Sequence, residues 1–507
     1  MPRGAIAASN AAIGDAGALE CAGNRRGRAL VEEARDACGV VGIHAPGEDV
    51  ARVVYYALYA LQHRGQEAAG IAISDGASLV VYKELGLVAQ VFDETVLGSL
   101  RGRLAIGHVR YSTTGATSWE NAQPTYKSSP SGQLAVSHNG NLVNSVDLKR
   151  SLAEAGGDPT PQRARLTSSS DTDLVASHIA RASKGDLKEA ILAVLPGLSG
   201  AYSFVMMDEA RIFGARDPAG FRPLSIGRLP GGGFILASET CAFDLLGARF
   251  VRDVEPGELV AIGDDGVESE RFANARPAAC VFEHVYFARA DSTLMGQNVY
   301  VSRVRMGQAL AREAPVAADL VTPVPDSSVP AAQGFAKESG VTYGEGFVKN
   351  RYVGRTFIQP TQSMREHGIR MKLNPIRDVI AGRRVVVVDD SIVRGNTTRQ
   401  IVLMLRGAGA REVHMRISSP PIRWPCFYGI DMPDQDDLIG ARMSVEDIRD
   451  HIGADSLAYL SAEGMVASTR LPADALCTAC FTSRYPVAIP PHELRRKNVL
   501  ETTVVDV

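Results

Sequence analysis

The chain has 507 residues, is 45% hydrophobic and carries a formal charge of −3, so it holds enough apolar material for two or three domains with cores of their own. That charge argues against general nucleic-acid binding, and no apolar run approaches the roughly 20 residues needed to cross a bilayer. Seven cysteines are too few and too scattered for a disulfide scaffold, which leaves metal binding or catalysis as the better question for them.

The first 37 residues are rich in alanine, glycine and charge, and AIAASNAAIGDAGAL lacks the strongly apolar core of a secretory signal, so a cytoplasmic protein is expected. An apolar strand begins at Cys38 in DACGVVGIHAP. A cysteine at a strand start is ordinarily a small buried hydrophobe. Four segments follow: LQHRGQEAAGI (61–71), GHVRYSTTG (107–115), SHNGNL (137–142) and SSSDTDLV (168–175). Asn139-Gly140, directly after LAVSH, spells a type I′ hairpin turn. His63, His108 and His138 have no spacing that selects a papain-like base, and they stay outside the candidate site. After GARDPAGFRPL and VEPGELV, the stretch ESERFANARPAA loses the apolar pattern and reads as a connection, with a boundary near 275.

In order and spacing these segments resemble the glutamine amidotransferases of the N-terminal nucleophile class. The resemblance implies an αββα sandwich over 38–275, preceded by a propeptide, 1–37. Cleavage before Cys38 would give the nucleophile its own α-amine, whose pKa of about 7.7–8.0 suits it to take the thiol proton. Glutamine is a zwitterion, and the resemblance puts Arg110 on its carboxylate and Asp171 near its amine, with Arg64 assisting. It also makes the Asn139 side chain and the Gly140 N–H the oxyanion hole, keeping the turn and giving it a task.

In the second half, VVVVDDSIVRGNTT (385–398) runs from four valines into two carboxylates. The valines suit a central strand of a parallel sheet covered on both faces. Thr397 and Thr398 are candidate caps for a helix whose face is Ile401, Val402, Met404 and Leu405, with Gly407 and Gly409 as stop signals. Neither G-x-G-x-x-G nor G-x-x-x-x-G-K-[ST] is present, which weakens dinucleotide and P-loop readings. Asp389 and Asp390 would repel a bare phosphate, yet they suit sugar hydroxyls and a cation that bridges a diphosphate. An acidic strand end of the receiver type is the alternative.

The stretch resembles the phosphoribosyl-pyrophosphate (PRPP) loop of type I phosphoribosyltransferases. By that resemblance Asp389 and Asp390 lie along the ribose, and Arg394, Gly395, Asn396, Thr397 and Thr398 cradle the 5-phosphate. VPDSS resembles the diphosphate-binding turn, which would place Ser327 with Asp389 and Asp390 at Mg²⁺; a Ser-Ser turn capping the next helix is the plainer reading. The cationic run from Lys349 to Lys372 suits a lid that encloses a diphosphate, with Lys349 and Arg351 reaching PRPP and Tyr352 coupling closure to the glutaminase.

From Cys38 to about Pro486 the chain resembles the amidophosphoribosyltransferases, the family that joins these two chemistries. This implies a type I phosphoribosyltransferase domain over 276–475 and a tail, 476–507, that carries LCTACF. Cys477-x-x-Cys480 alone fits zinc as well as iron–sulfur. By resemblance to the cluster-bearing branch, Cys280 and Cys426 complete four ligands for a [4Fe-4S] cluster, and the same branch has the cleaved leader. Also implied are glutamine and PRPP as substrates, purine nucleotides as feedback inhibitors, and a homotetramer. Two rivals were weighed: an amidotransferase making an amino sugar phosphate, which needs sugar-isomerase domains where this chain has its PRPP loop, and a non-catalytic PRPP-sensing regulator. Intact Cys38, Asn139, Asp389 and Asp390 weigh against the second.

Overall fold

The computed structural model of the chain describes residues 38–111, 118–154, 166–350, 372–430, 432 and 434–491. From Cys38 to Arg271 the chain builds two antiparallel sheets packed face to face. In the first, seven strands run in the order Arg249–Asp253, Ser225–Arg228, Phe234–Ala237, Gly39–His44, Leu104–Arg110, Ala68–Ser74 and Leu79–Leu85. In the second, six strands run Gly266–Arg271, Glu258–Gly263, Ile212–Arg216, Gly200–Met207, Gly132–Leu142 and Thr125–Ser129. Val40, Ile106, Val205 and Leu236 form part of the core between them.

Helices close the outer faces. Val50–Ala60 turns Val54 and Leu58 onto the first sheet, and Asp171–Ala182 turns Val175 and Ile179 onto the second. The layers are therefore αββα. A strand sandwiched between a helix and another sheet has no wet face, which is why Gly39–His44 is buried at every position rather than alternating.

Two expectations from the sequence are corrected here. Asn139 and Gly140 form no hairpin turn: both lie inside the 11-residue strand Gly132–Leu142, paired with Ser203 and Tyr202. Unbroken pairing with Gly200–Met207 overrides the local turn preference of Asn-Gly. Likewise ESER is strand, the end of Gly266–Arg271, and its apolar pattern fades because it is the exposed edge of its sheet.

The second unit is a parallel sheet of four strands, Leu320–Pro323, Arg384–Asp389, Glu412–Ile417 and Ser456–Tyr459 in that order. Arg384–Asp389 is internal, as its valines predict. Val386 and Val388 pack toward helices Val299–Glu313 and Val329–Ser339, while Val385 and Val387 pack toward Asn396–Gly407 and Val445–Ile452. The predicted face of Asn396–Gly407 is buried at Ile401, Val402, Met404 and Leu405. Its cap is not a threonine, however: Gly395 occupies the N-cap at φ +84°, and Thr397 and Thr398 belong to the first turn.

The connection is itself ordered against both units. Ala278 N–H and Cys280 N–H donate to the Ala219 and Phe221 carbonyls (2.7 and 3.1 Å), and Ala279–Cys280 pairs in parallel with Leu476–Cys477 near the carboxyl end. Among the described residues no helix is long and apolar enough to cross a membrane.

Candidate active sites

Cys38 stands at the head of strand Gly39–His44, where a glycine follows it because a side chain at position 39 would strike Val109. Its Sγ lies 3.4 Å from both the N–H and the carbonyl oxygen of Tyr111, so the main chain grips the thiol from two sides. Burial pushes the thiol above its ordinary pKa, against the pull of Tyr111 and Arg110. At neutral pH it is therefore a thiol that needs a base. Arg110, Glu67 and Asp171 all lie within electrostatic reach of it.

Arg110 ends strand Leu104–Arg110, and burial lowers its pKa while Cys38, Glu67 and Asp171 oppose that. Asp171 opens helix Asp171–Ala182; its Oδ2 accepts the Leu142 N–H (3.1 Å), and Oδ1 stands 3.4 Å from His138 Nδ1. Burial would raise its pKa, but His138 and these donors hold it below the usual carboxylate range. One cation and two anions, Arg110 with Glu67 and Asp171, thus stand near the thiol. Asn139 is fully buried, and neither atom of its amide has a hydrogen-bond partner among the described residues. Such an orphan costs about 1–3 kcal/mol. A ligand oxygen accepting from Nδ2 would recover it. At Gly140 a Cβ would sit 2.1 Å from the Ala201 carbonyl oxygen, so that only glycine brings this main chain so close.

Arg64 requires a correction. Its guanidinium is not open to a glutamine carboxylate: Nε donates to the Cys38 carbonyl (3.1 Å), and both terminal nitrogens are bound to Glu239 and Glu283. Two carboxylates already neutralise it. Tyr111 and Glu67 lie within the segments GHVRYSTTG and LQHRGQEAAGI without being singled out there, whereas the parts of Glu239 and Glu283 depend on approach across the fold. His138, set aside as a base, does meet Asp171, as its neighbour.

At the second site, the Asp389 and Asp390 carboxylates end the central strand and are largely buried. Ser327 Oγ donates to Asp390 Oδ2 (2.6 Å) and Ser328 Oγ to Asp389 Oδ1 (3.3 Å). Ser328 does occupy the N-cap of helix Val329–Ser339, as the plainer reading has it, but its hydroxyl makes no cap hydrogen bond and turns to Asp389 instead. Gly395 and Asn396 open the following helix, whose N–H groups favour an anion. Arg394 pairs with Asp437 (3.2 Å), and Lys349 pairs with Asp326 (2.5 Å) on the VPDSS turn. Arg351 and Tyr352 lie outside the described residues, as does the leader, 1–37.

Cys280 and Cys477 face one another in register, and Cys280, Cys426 and Cys477 all act electrostatically on Cys480. Tyr428 N–H donates to Cys426 Sγ (3.3 Å). Burial pushes the Cys477 and Cys480 thiols above the ordinary range, so binding to a metal would have to supply the charge that makes them thiolates. Among the described residues no three His, Cys, Asp or Glu side chains are gathered to hold a single metal ion. Tetrahedral zinc, with bonds of about 2.3 Å, would draw its sulfurs to within about 4 Å of one another. A cluster that brings its own iron and sulfide spreads its thiolates more widely. Four cysteines with no histidine or carboxylate among them are a donor set suited to a thiolate-bound metal, zinc or an iron–sulfur cluster.

An N-terminal-nucleophile glutaminase joined to a phosphoribosyltransferase domain is the class that this fold defines. Residues 108–244 match the glutamine amidotransferase domain family. An amidophosphoribosyltransferase of Mycobacterium tuberculosis is 55% identical over 474 residues, 92% of this chain and 89% of that protein; one of Bacillus subtilis is 49% identical over 91% of this chain and 96% of its own. The solved B. subtilis glutamine PRPP amidotransferase, complexed with ADP and GMP, superposes with a TM-score of 0.83 at 49% identity, over 90% of this chain and 98% of that one. A structure described as the allosteric regulatory enzyme of purine biosynthesis also gives 0.83, at 48% identity and over 90% and 97% of the two chains. The chain belongs to the amidophosphoribosyltransferase family.

Proposed function

We infer that the chain releases ammonia from glutamine at Cys38 and transfers it to C1 of PRPP, forming 5-phosphoribosylamine, glutamate and diphosphate, the first committed step of de novo purine synthesis. The observation that carries this is a buried thiol within reach of the Arg110 cation and the Asp171 anion, on the same chain as an acid-ended strand that runs into a helix start suited to an anion. Removal of residues 1–37 frees the Cys38 amine, which takes the thiol proton. The sulfur attacks the carboxamide carbon while Arg110 and Asp171 hold the two charged ends of glutamine. Asn139 Nδ2 and the Gly140 N–H stabilise the oxyanion, in which a single donor is worth about 10²–10³ in rate. Ammonia leaves, and water hydrolyses the thioester.

At the second site Asp389 and Asp390 bind the ribose hydroxyls, and Arg394 to Thr398 enclose the 5-phosphate. Lys349 and Arg351 neutralise the departing diphosphate, and Tyr352 links their closure to the glutaminase. Ser327, Asp389 and Asp390 are the residues that would hold Mg²⁺, which supplies charge neutralisation at the diphosphate. Cys280, Cys426, Cys477 and Cys480 would hold a [4Fe-4S] cluster as a structural staple. Purine nucleotides inhibit a cytoplasmic homotetramer, a reading supported by the ADP and GMP carried by the B. subtilis relative.

The test separates the half-reactions. Cys38→Ala should abolish glutamine use but keep PRPP consumption at high ammonia, because the thiol does no chemistry at C1. Asp389→Asn with Asp390→Asn should cripple both routes. A folded Cys38→Ala protein that is inactive with ammonia would refute this division of labour.

A further inference from the structure

Between the nucleophile and the transferase core lies a chain of buried charges with no part in the chemistry above. Arg64 holds the Cys38 carbonyl through Nε (3.1 Å) and Glu283 through Nη2 and Nη1 (2.7 and 3.0 Å). Glu283 Oε1 also accepts from Arg222 Nη1 (3.1 Å), and Arg222 Nη2 and Nε donate to the Tyr428 carbonyl (2.8 and 3.2 Å). Glu239 closes the group on Arg64 and is itself held by His63, Ser292 and the Arg289 N–H. Arg64, Arg222, Glu239 and Glu283 are each at most 2% exposed, so two cations and two anions cancel in a dry interior.

A buried ion-pair group is weak evidence of stability, since well-packed apolar residues of the same volume are often as good or better. What such a group does supply is direction. Here its two free ends fix main-chain carbonyls, those of Cys38 and Tyr428. Fixing the Cys38 carbonyl fixes rotation about its Cα–C bond, and with it the heading of the amine and thiol toward Arg110 and Asp171. The anchor lies outside the sandwich: Glu283 begins the helical turn Glu283–Phe287, whose Val285 and Phe287 pack in the transferase core. At the other end, Tyr428 stacks on Phe221 (4.2 Å), and Gly429 comes so close to Gly140 that a Cβ there would meet the Gly140 carbonyl carbon at 2.8 Å. The same anchor therefore reaches both the nucleophile and the strand that carries the oxyanion donors.

We propose that Glu283 is a positioning residue for glutamine hydrolysis: seated in the transferase core, its carboxylate fixes Arg64 and thereby the main chain of Cys38. The glutaminase site is incomplete without it. The inference rests on the functional reading above. Glu283→Asp keeps the charge balance but draws the carboxylate back by one methylene, so it no longer spans both guanidinium groups.

In mature full-length enzyme purified without oxygen, kcat for PRPP-dependent glutamate release should fall by roughly 10–10²-fold, the scale of a small misplacement. The glutamine KM should stay within about twofold, because Arg110 and Asp171 are untouched. The ammonia-dependent rate should match wild type, and alkylation of Cys38 by iodoacetamide should change in rate. Unchanged kcat and alkylation, or equal losses with glutamine and ammonia, would overturn the proposal. If the variant does not fold, the charge-balanced pair Glu283→Gln with Arg222→Gln takes the same measurements. Failure of both to fold would make the group a stability element and also overturn the proposal. Absence of glutamate release from the wild type would instead refute the functional reading, leaving the alkylation rates to judge positioning alone.

Discussion

The chemistry of the first site turns on one thiol that burial keeps protonated. Tyr111 lowers its pKa through a main-chain hydrogen bond, and Arg110 does so through its charge, yet desolvation prevails. A thiol in this state needs a base whose own pKa lies near neutrality, and the α-amine that removal of residues 1–37 would expose qualifies. The sign follows: the amine accepts a proton only when neutral, so activity should be lost as pH falls through its pKa of about 7.7–8.0. Intact-mass measurement should find active protein beginning at Cys38, and kcat/KM for glutamine from pH 6 to 10 should show that acid limb. A limb above about pH 9 would mean that the thiol titrates unaided. Fully active protein retaining Met1 would exclude the amine as base.

Two strand-to-site junctions depend on glycine for different reasons. At Gly140, φ is +147° and an added Cβ would sit 2.1 Å from a carbonyl oxygen of the paired strand, which has no flexible end to yield. Gly140→Ala must therefore displace the strand, and we expect glutamine-dependent turnover to fall by about 10²-fold or more, the cost of losing an oxyanion donor, with the ammonia reaction retained. At Gly395, φ is +84° and the Cβ would meet Ile439 Cδ1 at 2.8 Å, the movable end of a side chain. Gly395→Ala should cost about 1–2 kcal/mol of left-handed strain and raise the KM for PRPP while leaving glutamine kinetics alone. Steady-state kinetics with each nitrogen donor would tell the two apart. The first outcome belongs to a strand held close against its paired neighbour, the second to a helix start with room beside it.

Across the whole molecule, Ala279–Cys280 pairs with Leu476–Cys477, and a cluster on the four cysteines would tie the connection, the loop at 426 and the tail into one body. A metal bound there would contribute to folding as well as fill a site. Protein purified without oxygen should be brown, with about four irons per chain, and in air it should bleach, lose activity and aggregate as the staple fails. Iron and zinc analysis beside the visible spectrum decides the matter: colourless, fully active protein with one zinc per chain would overturn the cluster.

Much of this was legible in the chain itself, because the pieces are local. Four valines before two aspartates mark a covered strand that ends at a site, and the order of the segments around Cys38, Arg110, Asn139 and Asp171 marks the glutaminase, since each segment carries its chemistry within a few residues. Local signals also misled where pairing overrode them: Asn139-Gly140 reads as a turn and is strand, and Thr397 reads as a cap although Gly395 holds that place. Arg64 misled for another reason, because its partner Glu283 is 219 residues away and nothing near either residue announces the other. Only the folded chain excludes water from that pair, and in the dry interior the guanidinium must be neutralised by carboxylates wherever in the sequence they lie. Sequence alone thus determined the family and named the candidate groups for the chemistry, and tertiary structure decided which groups hold them in place.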